Sequence, residues 1–95
     1  MQLIKYVIEK TDPFEEWLSS LSAKNEALVR ARLAKIRDEG YFGVYRVLGD
    51  GLIELKWKSE IRVYLIRVEK NKIRILLGGS KHGQKKDIAR ARGMF

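Results

Sequence analysis

Three runs of apolar residues in the second half of the chain limit its fold more than any other feature. They cover residues 52–57, 61–68 and 73–77, and the connections between them have three and four residues. Strands joined this closely pair antiparallel, because a parallel crossover needs on the order of a dozen residues. The sequence therefore predicts a three-stranded antiparallel meander, and Gly78 and Gly79 are expected to end the sheet.

The first half of the chain predicts a strand followed by two helices. Residues 3–9 are rich in Ile, Val and Tyr, with apolar residues on both sides, which indicates a strand covered on both faces. Asp12 is the expected N-cap of the first helix, with Pro13 at the first helical position and Glu15 three residues after the cap. The apolar face of this helix is formed by Phe14, Trp17, Leu18 and Leu21.

A second helix is expected to start after Ser22 and to run to about Glu39, with Gly40 as its C-cap. Its apolar stripe consists of Val29, Leu33 and Ile36. Residues 41–50 lack a period, which indicates a loop or a poorly formed strand. The aromatic residues expected to plug the core edge there are Tyr41, Phe42 and Tyr45.

A short C-terminal helix is predicted over residues 84–92, with Ile88 and Ala91 facing inward. The expected fold is α+β, in a single domain of residues 1–95. Its order is an N-terminal strand, two helices on one face of a small sheet, the three-stranded antiparallel meander, and the short C-terminal helix.

All of the net charge of +8 lies in the second half of the chain. Residues 51–95 contain 12 Lys and Arg and 4 Asp and Glu, whereas residues 1–50 contain 8 of each. A sheet with this excess of positive charge favours a phosphate-bearing partner such as RNA, DNA or the ribosome, with an acidic protein as the alternative. The chain has no cysteine, no apolar run long enough to span a membrane and no signal peptide pattern. We therefore expect a cytoplasmic protein without a membrane partner.

Most catalytic classes lack their residues in this chain. There is no carboxylate dyad, no phosphate-loop glycine pattern and no serine with a positioned histidine, and one histidine without cysteines predicts neither a metal site nor a cofactor. A set of cations remains. Lys56 and Lys58 share the polar face of their strand with Glu54, and the hairpin places Arg62 beside them. Lys81 and His82 follow the double glycine at the edge of the sheet.

These cations suit the cleavage of an RNA phosphodiester. A 2′-hydroxyl must lose a proton, the phosphorane must be stabilised, and the leaving 5′-oxygen must gain a proton. Arg62 offers a planar fork of donors for the phosphorane, while a lysine of lowered pKa or His82 suits proton transfer. The lysines equally suit a solubilising edge, and a histidine in a glycine-flanked turn is commonly solvated. Arg62, set in an apolar strand, requires a cleft or a partner.

Several short motifs are spread over nearly the whole chain. They are Phe14-Glu15-Glu16-Trp17-Leu18, Phe42-Gly43, Arg62-Val63-Tyr64, Gly78-Gly79-Ser80-Lys81, Gln84 and Lys86-Asp87-Ile88-Ala89-Arg90-Ala91. In these motifs the chain resembles the RelE/ParE superfamily of toxins from type II toxin–antitoxin pairs, and most of all the branch called addiction-module killer proteins or phage Gp49-like, HigB-type toxins. Its final helix lacks a tyrosine that several relatives carry, and the turn at Lys58–Ile61 is shorter than in many members.

The resemblance implies a ribosome-dependent endoribonuclease that needs no metal, cuts mRNA during translation and is neutralised by an antitoxin of helix-turn-helix type. It implies that Arg62 stabilises the transition-state phosphate, that Lys56 is a catalytic or phosphate-gripping lysine, and that Lys81 fills a basic position after the last strand. It also places His82 and Asp87 near the acid or base of some relatives. The residues expected to contact RNA are Lys58, Tyr64, Arg74, Lys85 and Lys86.

Two alternatives stay open at this point. A ParE-like toxin of the same fold would poison DNA gyrase by protein binding, without an active site of its own. A basic module without toxicity would only bind RNA or DNA, in a salt-sensitive manner. The cations Lys56, Arg62 and Lys81 favour the ribonuclease, because a gyrase poison does not need cations that converge at the sheet centre.

Overall fold

The computed structural model describes residues 5–95, and these form a five-stranded sheet and three α-helices. Strand order is β1-β5-β4-β3-β2, with β2 to β5 antiparallel and β1 parallel to β5. The predicted α+β architecture is confirmed. The elements are β1 (Val7–Lys10), α1 (Asp12–Ser20), α2 (Ala23–Glu39), β2 (Tyr45–Gly49), β3 (Leu52–Lys56), β4 (Ile61–Glu69), β5 (Lys72–Ser80), a 3-10 turn (Lys81–Gly83) and α3 (Gln84–Arg92).

The N-terminal strand is shorter and more exposed than its sequence indicates. β1 begins at Val7, and the prediction for residues 3 and 4 lies outside the described residues. Among the described residues the strand forms one edge of the sheet, paired with β5, and Val7 is 56% exposed. The expectation that it is covered on both faces is therefore wrong, since a dense run of Ile and Val does not distinguish an edge strand from a central one.

Local hydrogen bonds fix both ends of the helical pair. The N-cap of α1 is Thr11 and not Asp12, because the Thr11 hydroxyl accepts from the Phe14 amide and donates to the Leu76 carbonyl at 2.6 Å. The hydroxyl thus ties the start of α1 to β5. Ser22 caps α2, and Gly40 closes it in the left-handed conformation at φ 70°, as predicted.

The two faces of the sheet bury separate apolar clusters. On the face covered by α1 and α2, called here the helical-pair face, the core includes Phe14, Leu18, Val29, Leu33, Ile36, Leu55, Val63, Leu65 and Ile75. The opposite face lies under α3, and its buried residues are Leu52, Tyr64, Ile66, Leu76, Leu77 and Ala91. Two helices on one sheet face and an inward Ala91 both match the sequence prediction. Within residues 5–95, no helix is long and apolar enough to cross a bilayer.

The segment that lacks a period is a loop that leads into a fourth meander strand. β2 forms the second edge of the sheet, and Tyr41 and Tyr45 are 60% and 51% exposed. Phe42 alone of the three aromatic residues packs against the core. The prediction that Tyr41 and Tyr45 plug the core edge is wrong, because at a sheet edge an aromatic ring has fewer neighbours to cover it.

The double glycine lies inside β5 and does not end the sheet. An ideal Cβ built on Gly78 would lie 2.1 Å from Trp17 Cε3, on the helical-pair face. The next residue faces the opposite side of the sheet, where a Cβ on Gly79 would lie 2.1 Å from Asp87 Oδ2 of α3. The strand therefore passes between an indole ring and a carboxylate, and the missing side chains let both α1 and α3 approach the sheet backbone.

Gly78→Ala is expected to destabilise the protein by about 1–3 kcal/mol, because its methyl group overlaps the indole of Trp17, which is held in the core. Gly79→Ala should cost less, since the atom it meets is the free end of the Asp87 side chain. Urea denaturation followed by circular dichroism compares the two variants. Equal midpoints for Gly78→Ala and the wild type would contradict the close approach of Trp17.

Candidate functional site

The cations predicted from the sequence converge at the end of the sheet where β3 turns into β4. In the strand register, Arg62 lies opposite Lys56 on β3 and opposite Gly79 on β5. Lys58 is exposed in the turn, and Lys81 follows directly after β5. Side chains opposite each other on neighbouring antiparallel strands are close on one face, so the register brings Lys56 and Arg62 together.

Arg62 is the most deeply placed of these cations, with 8% of its surface exposed. Its Nη1 lies 2.7, 3.0 and 3.1 Å from the carbonyl oxygens of Ile61, Ser59 and Trp57, all in or beside the β3–β4 turn. Its Nε is buried and, within residues 5–95, has no hydrogen-bond partner. Arg62 therefore holds the turn in shape and still keeps one donor unsatisfied.

Lys81 and His82 are attached to the same turn through Glu60. The Lys81 amide donates to the Glu60 carbonyl at 2.8 Å, and the imidazole Nε2 of His82 lies 2.9 Å from Glu60 Oε1. The hydrogen bond from His82, together with its charge, lowers the pKa of the Glu60 carboxyl. Both side chains are exposed, so the imidazole is oriented by a carboxylate and remains accessible from solvent.

A buried carboxylate lies further along the same strands, under α3. Glu54 is fully buried, with Arg46 Nε 3.2 Å from its Oε1 and the Gln84 amide donating to its Oε2 at 2.6 Å. Tyr64 lies opposite Glu54 in the register, and burial, followed by the negative charge of Glu54, raises the pKa of the Tyr64 hydroxyl. Glu54 and Gln84 thus join α3 to the sheet beside the cations.

Sequence reasoning placed Glu54 on the polar side of its strand and missed its burial. Glu54 does lie on the predicted face of the strand, but α3 covers that face, and its residue Gln84 lies 30 residues after Glu54 in the chain. The local pattern offers one indication, because Glu54 stands in an apolar run between Ile53 and Leu55. Arg46 belongs to the same network, and it lies in the segment of residues 41–50 for which the sequence indicated a loop or a poorly formed strand.

Asp87 lies in the first turn of α3, over the backbone of Gly79. Burial raises the pKa of this carboxyl, although the positive charges of Arg90 and Lys86 act in the opposite direction. Lys85 and Lys86 project from the same turn and are exposed. The first turn of α3 therefore carries two cations on its outer side and one carboxylate against the sheet.

Two residues expected to contact RNA are placed elsewhere. Tyr64 is fully buried under α3, so its ring is not available to stack on a base in this structure. Arg74 lies nearer the opposite end of the sheet, opposite Ile66, and is paired with Glu9 of β1 at 2.9 Å. Neither side chain joins the cations around the β3–β4 turn.

The fold and the site together define a small α+β protein whose cations surround one end of an antiparallel sheet. A family model described as Phage derived protein Gp49-like (DUF891) matches residues 16–94. An uncharacterized protein of Haemophilus influenzae is 34% identical over 88 residues, which cover 90% of this chain and 88% of that protein. The chain belongs to the Gp49-like family, and the resemblance inferred from the sequence is confirmed.

Two solved structures share the fold. The intact RelBE toxin–antitoxin complex of E. coli matches with a TM-score of 0.67 at 10% identity, over 79% of this chain and 95% of that chain. The toxin–antitoxin complex RelBE2 of Mycobacterium tuberculosis matches with a TM-score of 0.62 at 17% identity, over 83% of this chain and 94% of that chain. At these identities the likeness shows the fold, which is that of RelE-type toxins.

Proposed function

We propose that this protein is the toxin of a toxin–antitoxin pair, a ribosome-dependent endoribonuclease that cleaves translated mRNA. The observation that carries the proposal is the convergence of Lys56, Arg62, Lys81 and His82 around a single turn. Four groups able to donate a proton or a hydrogen bond surround one site, while all of the net positive charge lies in the same half of the chain. A phosphodiester with developing negative charge suits such a site.

Arg62 and Lys56 are assigned to the phosphate. When the deprotonated 2′-oxygen attacks phosphorus, the phosphorane that forms carries additional negative charge until the bond to the 5′-oxygen breaks. Because Nη1 of Arg62 is held by three carbonyl oxygens, the guanidinium needs no reorganisation during the reaction. Preorganised donors of this kind supply a large share of the stabilisation in acyl and phosphoryl chemistry.

Proton transfer is assigned to His82 and Lys81, with Lys81 accepting the proton that the 2′-hydroxyl loses and His82 giving one to the leaving 5′-oxygen. The carboxylate of Glu60 orients the imidazole, which suits donation of a proton to the leaving 5′-oxygen. An exposed histidine at the rim of the site also suits a substrate that approaches from solvent.

The partner we propose is a cognate antitoxin, since the structures that share the fold were solved as toxin–antitoxin complexes. Acidic segments would suit its contact with this basic surface.

The test induces the protein in cells and maps new mRNA 5′ ends by primer extension. Wild-type protein should produce cuts within translated regions, and Lys56→Ala and Lys81→Ala should each reduce them by about 100-fold, the loss expected for one transition-state donor. Lys70→Ala is the matched control, because Lys70 is an exposed lysine in the turn at the opposite end of β4. Its cutting should equal that of the wild type.

Two results would contradict the proposal. Growth arrest with intact mRNA would mean that the target is not mRNA, and DNA gyrase would then be the next target to assay. Cuts that persist in both Lys56→Ala and Lys81→Ala would mean that the turn is not the site of cleavage.

A further inference from the structure

Exposed apolar side chains are concentrated along the β2 edge of the sheet. Among residues 5–95, seven large apolar side chains are exposed, and five of them lie in β2, in the loop before it or on the part of α2 beside this loop. The five are Leu28, Tyr41, Val44, Tyr45 and Val47. Such a concentration on a small protein indicates an interaction surface, whereas single exposed apolar residues do not.

A cavity of about 390 Å³ lies at one end of this surface, between α2, the loop before β2 and the end of β3. Leu28, Tyr41 and Val44 contribute to its lining. The charged residues of the lining are all basic, and Lys35 and Lys58 are the exposed ones among them. The cavity therefore favours a partner that combines apolar groups with negative charge.

The backbone of β2 has unpaired groups next to the cavity. The Lys56 amide donates to the Val44 carbonyl at 3.0 Å, which makes these two residues a hydrogen-bonded pair of β3 and β2. Such pairs alternate along antiparallel strands, so Arg46 also bonds to β3, while the amides of Tyr45 and Val47 point away from it. Because β2 is an edge strand of the described sheet, these outward groups are open to an added strand.

The two faces of this edge differ in chemistry. Tyr45 and Val47 lie opposite Leu55 and Ile53, which pack in the core of the helical-pair face, so both exposed side chains project on that face. Arg46 projects on the other face, where its guanidinium is half exposed beside Glu54. A strand added to β2 would therefore have apolar neighbours on one face and a cation on the other.

We propose that the β2 edge and the adjoining cavity bind an extended segment of the antitoxin, in which apolar residues alternate with acidic ones. The backbone of the segment pairs with Tyr45 and Val47 and adds a strand to the sheet. Its apolar side chains cover the exposed side chains of β2, and its acidic side chains lie on the side of Arg46. The inference rests on the proposed function for the identity of the partner and adds the surface and the mode of binding.

The observations favour a peptide over two other occupants. A second copy that paired through the same edge would bring identical cations together on two chains that each carry a net charge of +8. An RNA phosphate only accepts hydrogen bonds, so it does not satisfy the carbonyl groups of a strand edge. A peptide backbone offers both donors and acceptors at the spacing of the edge.

The probe is a fluorescein-labelled peptide of alternating Glu and Val, long enough to span the five residues of β2. Fluorescence anisotropy should show saturable binding. One control peptide has Lys in place of Glu, and a second has the same composition with Glu and Val in separate blocks. Each control should bind about tenfold more weakly, because the first loses the charge complementarity and the second loses the alternation between the two faces of a strand.

Val47→Glu should weaken binding of the alternating peptide by about tenfold, because it removes an apolar contact and brings a carboxylate next to an acidic segment. Val7→Glu is the matched control. Val7 lies on β1, the opposite edge of the sheet, and its exposure of 56% is similar to the 66% of Val47. The two variants carry the same change in charge at exposed positions, so a difference between them reports which edge binds.

Hydrogen exchange measured by NMR tests whether the peptide adds a strand. With the peptide bound, the amides of Tyr45 and Val47 should exchange about tenfold more slowly, since they gain hydrogen-bond acceptors. The Arg46 amide should change less, because it already bonds to β3.

Four results would each overturn the docking surface. They are absence of saturable binding, equal affinity for the block peptide, equal losses in Val7→Glu and Val47→Glu, and unchanged exchange at Tyr45 and Val47. A dimer of this chain that Val47→Glu abolishes would make a second copy the occupant, and RNA binding that Val47→Glu abolishes would make RNA the occupant. Either finding would also overturn the proposal.

Peptide binding needs neither a ribosome nor cleavage, which separates this proposal from the proposed activity. Selective peptide binding without any mRNA cuts would support the docking surface and contradict the activity. Cuts without peptide binding would support the activity and contradict the docking surface. If both proposals hold, Val47→Glu loses peptide binding and cuts mRNA as the wild type does, because Val47 is not among the cations of the candidate site.

Discussion

Arg32→Ala is expected to destabilise this protein by about 3 kcal/mol or more, the largest loss anticipated for a polar residue of α2. The guanidinium of Arg32 leaves the helix and donates to the carbonyl oxygens of Phe42, Val44 and Lys56, the first at 2.9 Å. It also lies 4.4 Å from the ring centroid of Trp57. A single side chain thus joins α2, the loop before β2 and the end of β3.

The size of the effect follows from what the truncation leaves behind. Removing the guanidinium leaves the carbonyl oxygens of Phe42 and Lys56 without this donor, each at a cost of about 1–3 kcal/mol where water does not replace it, while the Val44 carbonyl still accepts from the Lys56 amide. The cation–π contact with Trp57 is lost as well. Arg32→Lys should recover only part of the loss, because one ammonium group does not reproduce a planar fork that reaches three acceptors.

Arg30→Ala provides the control from the same helix. Arg30 is exposed and paired with Glu26 one turn earlier, an arrangement typically worth about 0.3–0.5 kcal/mol. Urea denaturation of the three variants should therefore rank Arg32→Ala far below Arg32→Lys, and Arg30→Ala close to the wild type. A loss below about 1 kcal/mol for Arg32→Ala would show that water readily replaces its hydrogen bonds.

The features that depend on residues close together in sequence could be predicted. Ser22 and Gly40 act through hydrogen bonds within one helical turn, so their roles as caps are visible in the local pattern. Core residues such as Leu18 and Leu33 follow from helical spacing in the same way. Thr11 was missed as a cap because Asp12 is an equally good capping residue, and the choice depends on a bond to Leu76 in β5.

The sheet edges could not be predicted, since they depend on which strands lack a second neighbour. β1 and β2 are both edges, although one was expected to be covered and the other to be a loop or a poorly formed strand. The double glycine was taken as the end of β5 because glycine commonly ends strands. Its actual role is to admit Trp17 and Asp87, which lie 61 residues before and 9 residues after Gly78 in the chain.

For the site, the hairpin register was sufficient to place Lys56 beside Arg62, because both flank one short turn. The attachment of Lys81 and His82 to that turn was anticipated only as a common sheet edge. Local reasoning did not predict which side chains are buried on the face of the sheet that α3 covers. The packing of α3 buries Tyr64 and Glu54 on that face, and Arg74 forms an ion pair with Glu9. The residues that form these contacts lie far apart in sequence.

Arg62→Ala is expected to reduce mRNA cutting by 100-fold or more and to cost about 2 kcal/mol in stability. The two effects arise from different nitrogens of one guanidinium. Nη1 holds the turn through the carbonyl oxygens of Trp57, Ser59 and Ile61, while Nε is a buried donor that finds no partner within the described part of the chain. A buried donor without a partner is unfavourable in the free protein, so an anionic oxygen that reaches it gains additional stabilisation.

Arg62→Lys separates the two roles. Lysine keeps the charge near the phosphate and one donor group near the turn, so about half of the lost stability should return. Cutting should stay well below the wild-type level, because the fixed geometry of the guanidinium is lost. The measurement combines a urea denaturation curve with the frequency of mapped 5′ ends, recorded at a temperature where both variants are folded.

The decisive comparison is cutting per folded molecule. If Arg62 acts on the phosphate, activity corrected for the folded fraction remains low in Arg62→Ala and Arg62→Lys. If Arg62 only holds the turn, the corrected activity returns to the wild-type value, and the role of phosphate ligand passes to the lysines. Lys81→Ala serves as the reference, because Lys81 is exposed and its removal should lower cutting without changing the denaturation midpoint. A site in which Arg62 both shapes the turn and binds the phosphate would explain why a buried cation stands between Ile61 and Val63 in β4.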